Sequence, residues 1–155
     1  MKILIASDHA GFDLKKVLTE YLRDAHHDVR DMGPREYNAE DDYPDYISLV
    51  AREMEEKPSE YRGIVIGGSG QGEAICANKF YGVRAVVYYG GNTDIIKLSR
   101  EHNDANVLSL GARFISPAEA KKAVKLWLDT AFSGDERHKR RIGKLFNIIH
   151  AKKHG

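Results

Sequence analysis

The chain has 155 residues, of which 42% are hydrophobic, and it carries 24 Lys and Arg residues against 23 Asp and Glu residues. This length is typical of one compact domain that buries roughly 70% of the surface of its unfolded chain. No apolar run approaches the roughly 18 residues that a membrane span requires, so we expect no membrane interaction. The single cysteine excludes an internal disulfide and a cysteine-based metal site, and it favours a cytoplasmic protein.

In chain order, short apolar runs alternate with segments in which apolar residues recur with the period of a helix. The predicted strands lie at residues 2–6, 29–32, 63–66, 83–89 and 106–110. The predicted helices lie at about residues 14–25, 47–54, 73–80, 93–101 and 117–132, and an extra C-terminal helix covers about residues 136–152. Because parallel strands need crossover connections, this alternation predicts an α/β fold with a five-stranded, parallel, doubly wound sheet. No repeat or linker divides the chain, so we predict one domain over residues 1–155, with the strand order 2-1-3-4-5.

The last predicted helix follows the fifth strand and its covering helix, so it has no crossover to make. Its apolar residues lie on one stripe, at Ile142, Leu145, Phe146 and Ile149. An apolar stripe has to be covered, and we expect a second copy of the chain to cover it in a homodimer. The segment after Gly134 also carries seven basic residues against two acidic ones, which is consistent with an anion site, a nucleic-acid-binding arm or a solvated helix face.

Two predicted strands are followed by polar loops of unusual composition, residues 7–11 and residues 67–73. Ligands of open α/β sheets bind beyond the carboxyl ends of the strands, where the strand order reverses, and these loops would flank that point. The second loop is not a dinucleotide fingerprint, because Glu73 or Ile75 stands where the third glycine belongs. It is not an ATP-binding phosphate loop either, because Glu73 replaces the required lysine.

A glycine loop of this kind can direct backbone N–H groups at negative charge, with the side chains of Ser69 and Glu73 placed over it. The alternative is that Glu73 only complements the dipole of the helix that begins there. Likewise, Asp8 could cap the first helix, His102 could act only through its charge at a helix end, and Cys76 is typical of a small core side chain. The seven histidines are scattered along the chain, and we expect no metal site.

Five segments, in order and without large gaps from residue 2 to about residue 148, carry a resemblance to a known family. They are residues 7–12 (Ser-Asp-His-Ala-Gly-Phe), 42–44 (Asp-Tyr-Pro), 67–79 (the glycine loop and Ala-Asn-Lys), 99–104 (Ser-Arg-Glu-His-Asn-Asp) and 136–142 (Glu-Arg-His-Lys-Arg-Arg-Ile). The set resembles the ribose-5-phosphate isomerase type B family, which includes the allose-6-phosphate and galactose-6-phosphate isomerases. The resemblance implies a flavodoxin-like or Rossmann-like sheet and a homodimer, or a tetramer, with an active site shared between subunits. It also implies cofactor-free aldose–ketose isomerisation of a phosphorylated sugar.

The resemblance also selects a branch of the family. One group uses as its base a cysteine immediately before Gly-Thr/Ser-Gly, and this chain has Gly67 at that position. The other group uses the glutamate of Gly-Gly-Ser-Gly-x-Gly-Glu, which this chain matches from Gly67 to Glu73. Two features depart from the Glu group: Asp104 stands where that group commonly has asparagine, and residues 88–94 follow no pattern known in the family.

In this branch, the resemblance makes Glu73 the base that moves a proton between two carbons and Ser69 the group that moves one between two oxygens. Asp8 and His102 would open the sugar ring, while Asn103 and the N–H groups of the glycine loop would hold the enediolate. The other substrate-binding and phosphate-binding residues that the resemblance implies are His9, Tyr43, Gly68, Gly70, Gly72, Arg113, Arg137, His138 and Arg141.

The resemblance therefore implies an enzyme of the pentose phosphate pathway that interconverts ribose 5-phosphate and ribulose 5-phosphate. An isomerase of allose 6-phosphate or galactose 6-phosphate is the alternative within the family. Two alternatives come from other classes: a module that binds a phosphate or nucleotide without catalysis, and a nucleic-acid binder that acts through the basic last helix. No aromatic residues alternate with those basic residues in a recognition motif, so we expect no nucleic-acid partner.

Overall fold

A computed structural model of the protein describes the backbone of residues 1–151 and the side chains of residues 1–148. The described elements are, in order, β1 (Lys2–Ser7), α1 (Phe12–Asp24), β2 (Asp28–Asp31), α2 (Tyr43–Glu56), β3 (Tyr61–Gly67), α3 (Gln71–Ala77), β4 (Ala85–Tyr88), α4 (Asp94–Glu101), β5 (Val107–Gly111), α5 (Pro117–Asp129) and α6 (Glu136–Ala151). Every predicted element is present, with ends that differ from the prediction by a few residues. Residue 152, the predicted end of the last helix, and the side chain of Ile149 lie outside the described residues. None of the helices in the described part of the chain has the length and apolar character needed to cross a membrane.

The five strands form one parallel sheet in the order β2-β1-β3-β5-β4, which confirms the predicted α/β class. The expected order 2-1-3-4-5 is wrong, because β5 pairs with β3 and leaves β4 at the edge. Every residue of β5 is buried, as a central strand requires, whereas the first three residues of β4 are only half-buried. The strand order still reverses between β1 and β3, so the two polar loops flank the reversal as expected.

Alternate side chains of the strands join different cores on the two faces of the sheet. Ile3 and Ile5 of β1 belong to a cluster with buried residues of α1, α4 and α5, including the fully buried Trp127. Leu4, which points to the other face, belongs to a cluster with residues of α2 and α3, including Met54. Both faces are covered by helices, and this explains why the central strands β1, β3 and β5 are largely apolar and buried.

The apolar stripe of α6 is partly covered by its own chain. The ring of Phe146 lies 5.4 Å from the ring of Tyr81, measured between centroids. Ile142 is half-buried, but Leu145 and Ile148 expose 52% and 63% of their surface. Phe146 therefore packs against its own chain, whereas Leu145 of the stripe and the neighbouring Ile148 are exposed. That a second copy of the chain covers the stripe stays a prediction.

Candidate active site

The loops that follow β1, β3 and β5 meet at the carboxyl edge of the sheet. The N–H groups of Ala112 and Arg113 donate to the carbonyls of Gly67 (2.8 Å) and Gly68 (3.1 Å). The N–H of Asp8 donates to the last-but-one carbonyl of β3 (3.3 Å). Backbone hydrogen bonds thus join all three loops, and they place residues that are far apart in the sequence around one small area.

The glycine loop turns sharply at Gly70, which has a φ of +78° in the left-handed region that favours glycine. A Cβ on Gly70 would lie 2.9 Å from the backbone of Leu110, so no side chain fits there. The hydroxyl of Ser109 donates to the carbonyl of Gly70 (2.6 Å) and holds the turn in place. The hydroxyl of the half-buried Ser69 accepts the N–H of Gln71 (3.3 Å), so Ser69 lies at the bend itself.

Glu73 is only 4% exposed, although it carries a carboxyl group. A Cβ on Gly67 would overlap this carboxyl group, so a side chain at position 67 and the Glu73 side chain cannot occupy the site together. Burial raises the pKa of Glu73, and the negative charge of Asp8 raises it further, while a hydrogen bond from the backbone N–H of Glu73 opposes the shift. A buried carboxyl group with a raised pKa in a loop cluster is typical of a general base.

The loop after β1 places Asp8 and His9 at the same edge. The Asp8 side chain is 7% exposed, and its Oδ1 accepts the N–H of Gly11 (3.2 Å). Asp8 therefore contacts Gly11, which is itself the N-cap residue of α1, and the charge of Asp8 also faces Glu73. The ring Nδ1 of His9 lies 2.7 Å from Oδ1 of Asp41, a residue of the loop between β2 and α2.

Sequence reasoning missed Asp41, which lies in an acidic loop without periodicity and 32 positions from His9. Asp8, His9 and Asp41 place one potential metal-ligating atom each within 4.8 Å of one another, although their histidine and carboxylates showed no ligand spacing in the sequence. Asp41 already bonds His9 twice, and Asp8 bonds the N–H of Gly11. We interpret His9 and Asp41 as a hydrogen-bonded pair, beside which Asp8 accepts the backbone N–H of Gly11.

Tyr43 and Arg113 complete this first group of predicted residues. A Cβ on Gly72 would lie 2.8 Å from the ring of Tyr43, so the ring packs directly against the glycine loop. A Cβ on Gly68 would lie 3.1 Å from Nη1 of Arg113, whose side chain is exposed. The structure therefore brings together the predicted residues Asp8, His9, Tyr43, Gly68, Ser69, Gly70, Gly72, Glu73 and Arg113.

The unusual segment 88–94 forms a turn at the rim of this group. Gly90 and Gly91 have φ values of +110° and +91°, which favour glycine. Tyr89 packs against Gly111, where an added Cβ would lie 2.9 Å from the Cβ of Tyr89. Its ring lies 6.0 Å from the exposed ring of Phe114, next to Arg113. Residues 88–94 thus contribute Tyr89, which pairs with Phe114 beside the glycine loop.

A second group of predicted residues gathers where α4 ends and α6 begins. His102 and His138 stack on each other, and together with Asn103 and Arg141 they line a cavity of about 300 Å³. His138 is 3% exposed, and its pKa is lowered mainly by burial, with smaller effects of His102 and Arg137. Arg137 and Arg141 are exposed and four residues apart, so they lie on one face of α6.

One chain does not bring the two groups together. His102 and Asn103 lie between the end of α4 and the start of β5, whereas Arg113 follows the end of β5. The five residues of β5 span roughly 13 Å, so the two groups lie at opposite ends of the strands, one at the amino ends and one at the carboxyl ends. A ligand that contacts both Glu73 and Arg137 would need two copies of the chain.

Cys76, in contrast, lies on α3 behind the glycine loop. It is half-buried and packs against the core that includes Ala77 and Val83. Burial raises the pKa of its thiol, and the charge of Glu73 raises it further. The interpretation of Cys76 as a small core side chain fits these contacts.

Acid–base chemistry on a small anionic molecule suits this edge of the sheet, since a buried carboxylate lies at the switch point and basic side chains lie at the rim. The fold and the site therefore define an α/β protein with a candidate acid–base site for a small anionic molecule. Residues 3–145 match the family described as Ribose/Galactose Isomerase, and the chain belongs to this family.

Named relatives and solved structures agree with this assignment. The chain is 39% identical to the ribose-5-phosphate isomerase B of Mycobacterium tuberculosis over 145 residues, 94% of this chain and 88% of that protein. The crystal structure of ribose-5-phosphate isomerase B from Mycoplasma genitalium with bound ribulose-5-phosphate has a TM-score of 0.91, 40% identity and coverage of 96% of each chain. The ribose-5-phosphate isomerase B of Clostridium thermocellum has a TM-score of 0.91 and 41% identity, and the match covers 98% of this chain and 99% of that one.

Proposed function

We propose that the chain interconverts ribose 5-phosphate and ribulose 5-phosphate by proton transfer through an enediolate, without a cofactor. The observation that carries the proposal is the Glu73 carboxyl group, which is buried against Gly67 and has a raised pKa. A general base works best when its pKa lies near the working pH, and burial moves a carboxyl group in that direction. The names of the relatives, and the ribulose-5-phosphate bound in the Mycoplasma genitalium structure, favour the five-carbon substrate.

The reaction moves one proton between neighbouring carbons and one between neighbouring oxygens. In the proposed mechanism, ionised Glu73 removes the proton from one carbon and returns it to the next. The hydroxyl of Ser69 moves the second proton between the two oxygens. The N–H groups of residues 68–72 and the amide of Asn103 stabilise the enediolate charge, which develops only after the substrate is bound.

Ring opening and phosphate binding use the remaining predicted residues. Asp8 and His102 exchange the protons that open the furanose ring. A phosphate group is a strong acceptor, and charged donors bind it best. The proposed phosphate and substrate contacts come from His9, Tyr43, Arg113, Arg137, His138 and Arg141.

We propose that the active site is completed by a second subunit in a homodimer. Within one chain the two groups of site residues lie at opposite ends of the strands, so His102, Asn103 and the arginines of α6 would serve the Glu73 site of a partner. The exposed Leu145 and Ile148 add apolar surface next to the second group. A tetramer made of two such dimers would keep the same shared sites.

The metabolic pathway and the cellular location are part of the same proposal. Interconversion of two pentose phosphates belongs to carbohydrate metabolism and to the pentose phosphate pathway. A cytoplasmic location is proposed because the chain has one cysteine and forms no internal disulfide.

A panel of sugar phosphates tests the proposed function. Ribose 5-phosphate, allose 6-phosphate and galactose 6-phosphate are each incubated with the protein, and the ketose product is measured. We expect the highest kcat/KM for ribose 5-phosphate. A higher kcat/KM for a six-carbon substrate would establish the alternative within the family. Binding of these compounds without any turnover would contradict catalysis and favour a regulatory module.

A further inference from the structure

Asp41 makes two hydrogen bonds to one residue, His9. Its Oδ1 accepts the backbone N–H of His9 (3.0 Å) and lies 2.7 Å from Nδ1 of the ring. The Asp41 side chain is only 3% exposed, whereas that of His9 is 27% exposed. The other carboxylate oxygen of Asp41 is buried and has no hydrogen-bond partner among the described residues. A buried, half-paired carboxylate is costly, so a purely structural role would favour a neutral side chain here.

The contact with Asp41 determines which nitrogen of His9 is left for a ligand. A carboxylate accepts hydrogen bonds and donates none, so Nδ1 carries the proton that it shares with Asp41. Nε2 is then the nitrogen that the substrate can meet. Phosphate oxygens are acceptors, and Nε2 can donate to them only when the ring carries a proton on both nitrogens.

We propose that Asp41 is a positioning residue for phosphate recognition, which orients the His9 ring and keeps it protonated so that Nε2 donates to the phosphate of the substrate. The inference rests on the proposed function, in which His9 meets that phosphate. It adds to the site Asp41, which lies in the loop between β2 and α2 and is not among the predicted site residues.

The charges around His9 support a protonated ring. Asp8 and Asp41 face it with negative charge, Arg113 faces it with positive charge, and the ring of Tyr37 lies edge-on at 6.5 Å. The pKa of His9 is raised, and the hydrogen bond to Asp41 is the largest cause. Partial burial and Arg113 oppose the shift, while Asp8 adds to it. Loss of the Asp41 charge should therefore lower the pKa of His9.

The loop that carries Asp41 has anchors that do not involve this carboxylate. The nearly fully buried Lys15 pairs with Asp31 (2.8 Å) and donates to the carbonyl of Pro34 (2.5 Å). The N–H of Asp41 donates to the carbonyl of Asn38 (3.2 Å). An asparagine side chain at position 41 would also keep an acceptor oxygen for the N–H of His9. The substitution Asp41→Asn therefore removes the charge while the loop stays anchored.

The test compares Asp41→Asn with the control Glu40→Gln, which removes one exposed charge from the same loop. kcat and KM for ribose 5-phosphate are measured between about pH 5.5 and 8.5, where histidine titrates. We expect the KM of Asp41→Asn to rise roughly 10-fold above neutral pH, as expected for loss of one charge-assisted contact, with little change below about pH 6 and little change in kcat. The control should follow the wild type. An Asp41→Asn KM equal to that of the wild type at every pH would overturn the proposal.

Two further measurements separate positioning from loop structure. If Asp41 acts through His9, adding Asp41→Asn to a His9→Gln variant should leave KM unchanged, whereas an equal further rise in KM would overturn the proposal. NMR titration of the His9 ring in the wild type, with and without inorganic phosphate, needs no variant and no turnover. The proposal expects a His9 pKa above 6.5 that rises when phosphate binds. A pKa below 6.5 that phosphate does not change would overturn it, whether or not the protein isomerises sugars.

Discussion

His102 and His138 stack ring on ring, with centroids 4.3 Å apart and planes 18° from parallel. The stack joins the end of α4 to the first turn of α6, and a backbone bond from Ser133 to Glu101 (3.2 Å) holds the same junction. Burial lowers the pKa of His138, and the neighbouring ring of His102 lowers it further because two charged rings in contact would repel each other. His102 and the arginines of α6 therefore form one fixed surface, and the proposed dimer would present it to the partner's glycine loop.

Mixing two variants that are both inactive at low substrate tests whether subunits share the site. One chain carries Glu73→Gln, and the other carries Arg137→Ala together with Arg141→Ala. After dissociation and reassociation, a heterodimer with shared sites contains one intact site, so we expect about half of the wild-type activity per heterodimer at low substrate. Inactive heterodimers, counted by mass spectrometry, would place the arginines in the same subunit's site as Glu73.

The single variants Arg137→Ala and Arg141→Ala should raise KM much more than they lower kcat. A phosphate contact remote from the reacting carbons binds the ground state and the transition state alike. Each charge-assisted contact contributes roughly 1.5–3 kcal/mol, which corresponds to roughly a 10- to 100-fold change in KM. Lys139→Ala is the control, since among the described residues Lys139 forms an ion pair only with the exposed Glu136 (3.2 Å) on the same helix. Equal losses in kcat and kcat/KM for the arginine variants would assign them a role in the transition state instead.

Cys76→Ser should remain active, and alkylation of the native protein should have little effect on turnover. The thiol is half-buried behind the glycine loop, and its raised pKa leaves little reactive thiolate at neutral pH. Turnover is measured before and after treatment with a maleimide, with Cys76→Ser as the control because it has no other cysteine. Stoichiometric inactivation that substrate prevents, and that Cys76→Ser does not show, would contradict this account.

The elements of the fold could be predicted from sequence periodicity, but the order of the strands could not. Leu18 and Leu22 are buried four residues apart on one face of α1, as the helical period of the apolar residues requires, and Ser116 caps α5 in a capping box with Glu119. Periodicity shows which residues make a strand, and it contains no information on which strand lies beside it. The exchange of β4 and β5 depends on how the crossovers pack, which a single sequence does not display.

The candidate site could likewise be predicted only in part. The glycine loop and Glu73 could be predicted because their residues are contiguous, whereas Asp41 could not, because only folding brings its loop to His9.

Asp104, which stands where the Glu group of the family commonly has asparagine, has a structural reason. Its φ of +45° suits either Asp or Asn, and its charge binds Arg84 (3.2 Å) and the buried Arg100 (2.8 Å). An aspartate at this position thus has two cationic partners beside His102.

Glu73→Gln should stabilise the fold, and the gain should depend on pH. The folded-state pKa of Glu73 lies above its ordinary value of 4.5, so the folded protein binds the proton more tightly than the unfolded chain does. The wild type therefore loses stability as pH rises from about 4.5 through that raised pKa, while the glutamine does not titrate. Urea unfolding at several pH values should show a gap in unfolding free energy that widens over this range and is constant above it. A gap that narrows as pH rises would contradict a raised pKa.

The central claim is that Glu73 moves the proton between the two carbons, and turnover of ribose 5-phosphate by Glu73→Gln tests it most directly. The control is Glu20→Gln, which changes an exposed glutamate of α1 in the same way. General-base catalysis contributes roughly 10²- to 10⁴-fold, so the account predicts a loss of kcat of at least that size in Glu73→Gln and none in the control. Retention of more than about a tenth of the wild-type kcat by a folded Glu73→Gln protein would contradict the assignment of Glu73 as the base.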